Sequence, residues 1–260
     1  MARPESLEPL LERTAPAVVI NATAYTAVDQ AEAEPGLAFA VNRDGPARLA
    51  ELCHRRGLPL LHISTDYVFD GAKPEPYREE DPVAPLGVYG ASKAAGEAAV
   101  RALCPRHVIL RTSWVYGIHG QNFVKTMLRL GAERDEMKVV ADQHGAPTAA
   151  ADIAAALIRI AGAVAGREEA PRGTFHYTGD GATTWHGLAD HIFAAQARLT
   201  GRRPRLTAIA TADYPTAARR PANSRLDCSR IGQSFGIACR PWRDGVDRVL
   251  EALLPARGPG

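Results

Sequence analysis

Tyr89 and Lys93 stand four residues apart in the run VYGASKAAGEAAV, a spacing that puts both side chains on one face of a helix. A phenol and an ammonium so placed suit carbonyl chemistry. Hydride attack on a ketone builds negative charge on its oxygen, and a proton must arrive there. A free phenol ionises near pH 10, so a tyrosine working at neutrality calls for a value up to about 3 pH units lower, and a neighbouring ammonium would supply part of that. Thr65 can hydrogen-bond the same oxygen and hold the polarised carbonyl. Seven tyrosines and four lysines in 260 residues would give such a pair about 0.1 times by chance, so its weight comes from context. An isolated Tyr-x-x-x-Lys is usually plain helix surface. Here it opens a helix that follows a run ending in Ser64-Thr65, and open α/β sheets bind ligands outside the carboxyl ends of their strands.

The elements that must position these groups follow a regular grammar. AVVINA (17–22) is a short β-branched run suited to a strand buried on both faces, and a helical stretch follows through about Arg56. LPLLHIS (58–64) is the next strand, 88–104 the next helix, and HVILRTS (107–113) a third strand. This β-α-β-α-β order predicts the α/β class with a doubly wound, Rossmann-like parallel sheet. After Trp114 the pattern turns to a helix near 122–133, a short strand near 138–140 and helices near 151–164 and 184–199. That half reads as a smaller C-terminal substrate lobe. The expected division is 1–118 for a dinucleotide-binding domain and 119–260 mainly for substrate, with a soft, interleaved boundary.

A dinucleotide fold opens with strand, Gly-rich turn and helix, whose backbone amides hold the pyrophosphate. No such turn precedes the strand at 17–22. The preceding PESLEPLLERTAP reads as a helix ending at Pro16, which would make 17–22 an interior strand of the usual order. The expectation is an N-terminally truncated dinucleotide domain, short of a first β-α-β unit of about 40 residues, that binds NADPH poorly on its own.

Composition narrows the class further. A 46% hydrophobic and 23% charged chain is ordinary for a globular enzyme, and 31 basic against 29 acidic side chains leave no basic face for nucleic acid. The basic cluster of Arg219, Arg220 and Arg225 reads as solvated surface, with phosphate contact as the alternative. No run of 18 apolar residues predicts a membrane span. Cys53, Cys104, Cys228 and Cys239 form no Cys-x-x-Cys pair and no secretory segment precedes them, which fits the cytoplasm. The eight histidines lack metal-ligand spacing, His186 and His191 being five apart, so no metal site is expected.

Seven runs carry a resemblance: NATAYTAVD (21–29), HISTDYVFDG (62–71), VYGASKAAGE (88–97), RTSWVYG (111–117), NFVKTMLRL (122–130), DQHGAPT (142–148) and RPANSRL (220–226). Together they resemble the dTDP-4-dehydrorhamnose reductases of the extended short-chain dehydrogenases, from about residue 5 to residue 254. The resemblance implies NADPH- or NADH-dependent reduction of a nucleotide sugar in dTDP-L-rhamnose synthesis. It implies Tyr89 as general acid, Lys93 as the residue that binds the nicotinamide ribose and lowers the tyrosine pKa, and Thr65 as the third catalytic group. Asp66 and Trp114 match substrate contacts, and Asn223, Ser224 and Arg225 fall where the nucleotide part is expected. Ala24, Tyr25 and Thr26 match the strand-end turn against the dinucleotide, joined by Ser64. Core packing for Trp114 and turn capping for Asn223 are the plain structural alternatives.

Two rivals stand beside this reading. A non-catalytic nucleotide-binding regulatory subunit is favoured by the absent Gly-rich turn and opposed by the retained Tyr89, Lys93 and Thr65, and an inactive fragment of the reductase is the further alternative. An epimerase or dehydratase would share Tyr-x-x-x-Lys but not RPANSRL. The choices between NADPH and NADH, and between a homodimer and other assemblies, stay open.

Overall fold

The computed structural model describes residues 6–254. Helix α1 (Leu7–Thr14) leads into strand β1 (Val19–Asn21). The stretch expected to be helical through Arg56 is broken into α2 (Val28–Ala31), α3 (Pro35–Phe39), a π-helical turn at Ala40–Asp44 and α4 (Gly45–Arg55). The prolines account for the breaks. Pro46 has no N–H to return to the Asn42 carbonyl, so the ladder widens by one residue just before it, with the Gly45 amide reaching back to Ala40. Then come β2 (Leu60–Thr65), a 3₁₀ turn at Asp66–Val68, α5 (Val88–Leu103) and β3 (His107–Thr112).

The second half holds β4 (Val115–Tyr116), α6 (Phe123–Glu133), β5 (Glu136–Val140), β6 (His144–Gly145), β7 (Thr148–Ala149) and α7 (Ala150–Val164). It continues through β8 (Gly173–His176), β9 (Thr183–Thr184), α8 (Trp185–Thr200), β10 (Arg205–Ile209), α9 (Ser229–Phe235) and α10 (Trp242–Leu253).

The main sheet has the order β1-β2-β3-β8 and every pairing in it is parallel. This is the α/β class read from the sequence. Sequence reading passed over β8, which comes from the second half of the chain yet lies beside β3. Its four residues GTFH are too short and mixed to announce a strand. Among the described residues β1 pairs on one side only, with β2.

Both faces of the sheet are covered over β2, β3 and β8, but β1 departs from the strand buried on both faces that the sequence predicts, since its Ile20 is 42% exposed. Leu61, Val108, Leu110 and Phe175 point to one side, where Ile153, Leu157 and Ile160 of α7 and Ile231 of α9 close over them. Leu60 and Ile109 point to the other, against Leu49 and Cys53 of α4 and Val100 of α5. Burial on both faces is why the strands read as continuous apolar runs rather than alternating ones. A separate core gathers Val124, Met127, Leu188, Ile192, Phe193, Trp242 and Val246 from α6, α8 and α10. There β5 pairs in parallel with β10, a strand the sequence also concealed because three of its five residues are exposed.

Candidate active site

Helix α5 forms because six alanines supply propensity, and its glycines let it approach its neighbours closely. A Cβ at Gly90 would collide with the Tyr67 carbonyl, and one at Gly96 with the carbonyl of Asn42 in the π turn. Glu32 of the segment after α2 caps the first turn, accepting from the Val88 amide at 2.8 Å. Ser92 donates to the Tyr89 carbonyl at 2.8 Å and accepts from Asn42 at 2.9 Å. These contacts seat the first turn of α5, with Tyr89, against the carboxyl end of β2.

There the predicted Thr65, Asp66 and Tyr89 do come together. Thr65 Oγ1 donates to Asp66 at 2.9 Å, accepts from the Tyr67 amide at 3.2 Å, and lies beside the Tyr89 hydroxyl. Burial pushes the phenol of Tyr89 up to about 12; Thr65 pulls against this and the charge of Asp66 adds to it. Burial likewise raises the Asp66 carboxyl to about 6, against the hydroxyls of Ser224 and Thr65. Tyr67, whose ring meets Tyr89 edge-on at 5.4 Å, was not foreseen.

Lys93 differs from expectation. Its ammonium donates to the Ile63 carbonyl at 2.6 Å, and it is not among the groups that move the Tyr89 phenol, which lies high rather than low. The helix face puts both side chains on the strand end, but the β2 carbonyl captures the ammonium. Burial draws Lys93 down to about 8, while Glu97 opposes that shift.

Sequence reading also missed the polar groups beneath α5. Arg111 holds Glu97 through two hydrogen bonds, Nε to Oε1 at 2.8 Å and Nη2 to Oε2 at 2.7 Å, and both side chains are essentially unexposed. Although burial alone would raise it, Arg111 holds the Glu97 carboxyl down to about 2. His62 accepts at Nδ1 from Asn21 at 3.0 Å and is driven down to about 3, by burial first and then by Lys93. One signal was available: an arginine inside the apolar run HVILRT needs a buried partner.

The remaining predicted residues are spread around this centre. Tyr25 lies in the loop after β1, its backbone N–H and C=O both bonded to the Asn42 side chain at 2.8 and 3.1 Å. Ala24 is half-buried and Thr26 exposed in the same loop, and Ser64 is buried beside Glu97. Trp114 has φ of 49°, a left-handed conformation rare for a bulky residue, and stacks on Trp185 with ring centroids 3.7 Å apart. Asn223 ties down the chain. It donates to the carbonyls of Lys73 and Glu75 at 2.6 and 2.8 Å, and its Oδ1 accepts from the Arg225 side chain at 2.9 Å. The solvated-surface expectation for the basic cluster is therefore corrected for Arg225, and for Arg220, which pairs with Asp29 at 2.7 Å. Ser224 is set near Asp66, its amide fastened to the His144 carbonyl at 2.7 Å.

A dinucleotide suits the donors that meet here. Lys93 spends one ammonium proton on Ile63 and has two more, a match for vicinal ribose hydroxyls, with the Tyr89 hydroxyl alongside. Among the described residues no group of three His, Cys, Asp or Glu could hold a metal, and no helix is long and apolar enough to cross a membrane.

A family model described as the RmlD substrate binding domain matches residues 1–254. The protein named dTDP-4-dehydrorhamnose reductase in Sinorhizobium fredii is 52% identical over 241 residues, covering 92% of this chain and 81% of its own. Its namesake in Escherichia coli strain K12 is 42% identical over 258 residues, 97% of this chain and 85% of its own. Among solved structures, the Bacillus anthracis dTDP-4-dehydrorhamnose reductase in complex with NADP superposes with a TM-score of 0.89 at 36% identity, covering 96% of this chain and 86% of that one. A parallel sheet whose strand β2 ends at Thr65, with Asp66 next in the chain and Tyr89 of α5 beside it, matched over nearly its whole length, leaves one assignment: the chain belongs to the RmlD substrate binding domain family, that of the dTDP-4-dehydrorhamnose reductases.

Proposed function

We propose that this chain reduces the 4-keto group of dTDP-4-dehydro-L-rhamnose to give dTDP-L-rhamnose, with NADPH or NADH as reductant. The observation that carries the reading is the Tyr89 hydroxyl, set beside Thr65 at the carboxyl end of a parallel strand, on the helix face that also bears Lys93. The dinucleotide, when bound, supplies the hydride. Tyr89 supplies the proton. A phenol held up at about 12 keeps its proton at neutral pH, as an acid must, and still gives it to an alkoxide, which is more basic. Thr65 orients the phenol and can hydrogen-bond the substrate oxygen, and the two spare protons of Lys93 are suited to the nicotinamide ribose.

Asp66 and Ser224 together offer an acceptor and a donor to sugar hydroxyls, and the stacked Trp114 an apolar ring. Asn223 and Arg225 serve by holding the loop that carries Ser224. Ala24, Tyr25, Thr26 and Ser64 border the dinucleotide. In this reading residues 1–118 carry the dinucleotide and 119–260 mainly the sugar nucleotide, with β8 lent to the main sheet. The reaction is assigned to the cytoplasm, where the four free cysteines would stay reduced. The test is direct: the purified chain, given NADPH and dTDP-4-dehydro-L-rhamnose, should oxidise the nucleotide one-for-one with dTDP-L-rhamnose formed. Because the expected truncation would weaken NADPH binding, NADPH affinity is measured alongside, and no oxidation at saturating substrate by a preparation that binds NADPH would remove the reading.

A further inference from the structure

Beneath α5 a row of polar side chains crosses the sheet, one or two from each strand. Asn21 of β1 pairs in register with His62 of β2, Ser64 of β2 with Arg111 of β3, and Arg111 with His176 of β8. All are at most 3% exposed, and α5 adds Lys93 and Glu97 at 2% and 0%. Burying charge this deeply is no route to stability, since an apolar set of similar volume commonly serves as well or better. The row calls for another reason, and the position of Glu97 one turn beyond Lys93 provides it.

An amine in so dry a place tends to lose its proton. Glu97 and Tyr89 share the helix of Lys93, and His62 faces it from β2. Arg111 of β3 and His176 of β8 lie beyond Glu97, and Arg101 reaches the same carboxylate at 3.1 Å. The π turn packed on α5 presents Asn42, which is uncharged. His62 and His176 are neutral, both driven down to about 3 by burial. Asp66, in the 3₁₀ turn packed on the same helix, is not among the groups that shift Lys93, so among the described residues Glu97 is the one anion that acts on it, and Arg111 fixes it through both oxygens.

We propose that Glu97, locked by Arg111, is a positioning residue that keeps Lys93 an ammonium with all three donors. The inference rests on Lys93 holding the cofactor. A neutral amine would have two protons, one already spent on Ile63, and would grip a diol through a single donor.

The chain has four lysines, so the titration of Lys93 can be followed by carbon NMR of labelled lysine, its signal identified by its absence from Lys93→Arg. The wild-type midpoint should lie at about 8. In Glu97→Gln it should fall by at least about one pH unit, and in Glu97→Asp, which disturbs packing as much but keeps the charge, it should return toward the wild-type value. The pH above which NADPH affinity falls, read by fluorescence, should move with it. If Glu97→Gln does not fold, Arg111→Gln and the double variant Glu97→Gln/Arg111→Gln make the same comparison without stranding a buried cation. An unchanged midpoint in a folded variant lacking the carboxylate overturns the proposal. A midpoint that moves while NADPH affinity and the pH profiles of kcat and KM do not would instead overturn the role given to Lys93.

Discussion

A phenol that must give up a proton only as an alkoxide forms contributes to the transition state and little else. Tyr89→Phe should therefore lower kcat by about 100- to 10,000-fold, while leaving NADPH affinity nearly unchanged. The variant removes a single hydroxyl beside Thr65, so its unfolding free energy should change by only about 1 kcal/mol. Near-wild-type kcat would take Tyr89 out of the chemistry. Asp66 makes the opposite point. Its carboxyl ionises at about 6 in the folded chain against 3.8 for a free group, a gap worth about 3 kcal/mol. Because the folded value is the higher one, nothing is lost below pH 3.8, and the penalty grows as pH rises through about 6. Asp66→Asn should then unfold at higher urea than the wild type at pH 8, an advantage that disappears near pH 4, while sugar-nucleotide turnover drops. Equal gains at both pH values would mean that ionisation is not the cause. Such local conflict between stability and function marks a site rather than a core.

Helix α5 shows how much of an element can be read in advance and where reading stops. Its span was legible from the alanine-rich run after Pro85, and the face shared by Tyr89 and Lys93 from their spacing. The strands of the main sheet were legible as β-branched runs, except β8, whose pairing with β3 is set by the cores rather than by its own four residues. Glu97 and Arg111 were out of reach because they are 14 residues apart, on a helix and a strand, and only the crossing of one over the other makes them partners. The capture of Lys93 by Ile63 was hidden for the same reason: a backbone carbonyl leaves no mark in a sequence. The π turn was hidden too, though its consequence is testable. With Gly96 pressed on the Asn42 carbonyl, Gly96→Ala must push α5 off the turn that seats Ser92 and Tyr89. It should cost about 1–3 kcal/mol by urea denaturation despite alanine's better helix propensity, and it should lower kcat as well. A stabilised variant with normal kcat would show that the close approach positions nothing.

At the scale of the molecule, the run 220–227 is the thread that joins the two halves. The Tyr77 amide bonds the Arg225 carbonyl and the Asp227 amide the Tyr77 carbonyl, both at 2.8 Å. On the other side, His144 and the chain at 222–224 exchange two more backbone bonds, at 2.8 and 2.7 Å. RPANSRL was, together with RTSWVYG and DQHGAPT, specific to the family in the sequence, and its worth as a clip explains why residues that touch no reacting atom belong in it. The thread is also anchored to the first half through Asp29 of α2, which accepts from the Ala218 amide at 3.0 Å and from Arg220 at 3.1 and 2.7 Å. Asp29 is about half exposed, so this anchor adds little to global stability, about 1 kcal/mol or less. Its effect should be local. In Asp29→Ala the thermal midpoint should barely change, whereas the amides of residues 218–224 should exchange with deuterium faster and KM for the sugar nucleotide should rise as Ser224 loosens beside Asp66. NADPH affinity, which the proposed reading places on α5 and the loop after β1, should stay within about twofold. Exchange at 218–224 as slow as in the wild type would show that the backbone clip alone holds the thread, and a large fall in thermal midpoint would show that the anchor carries the fold rather than the site.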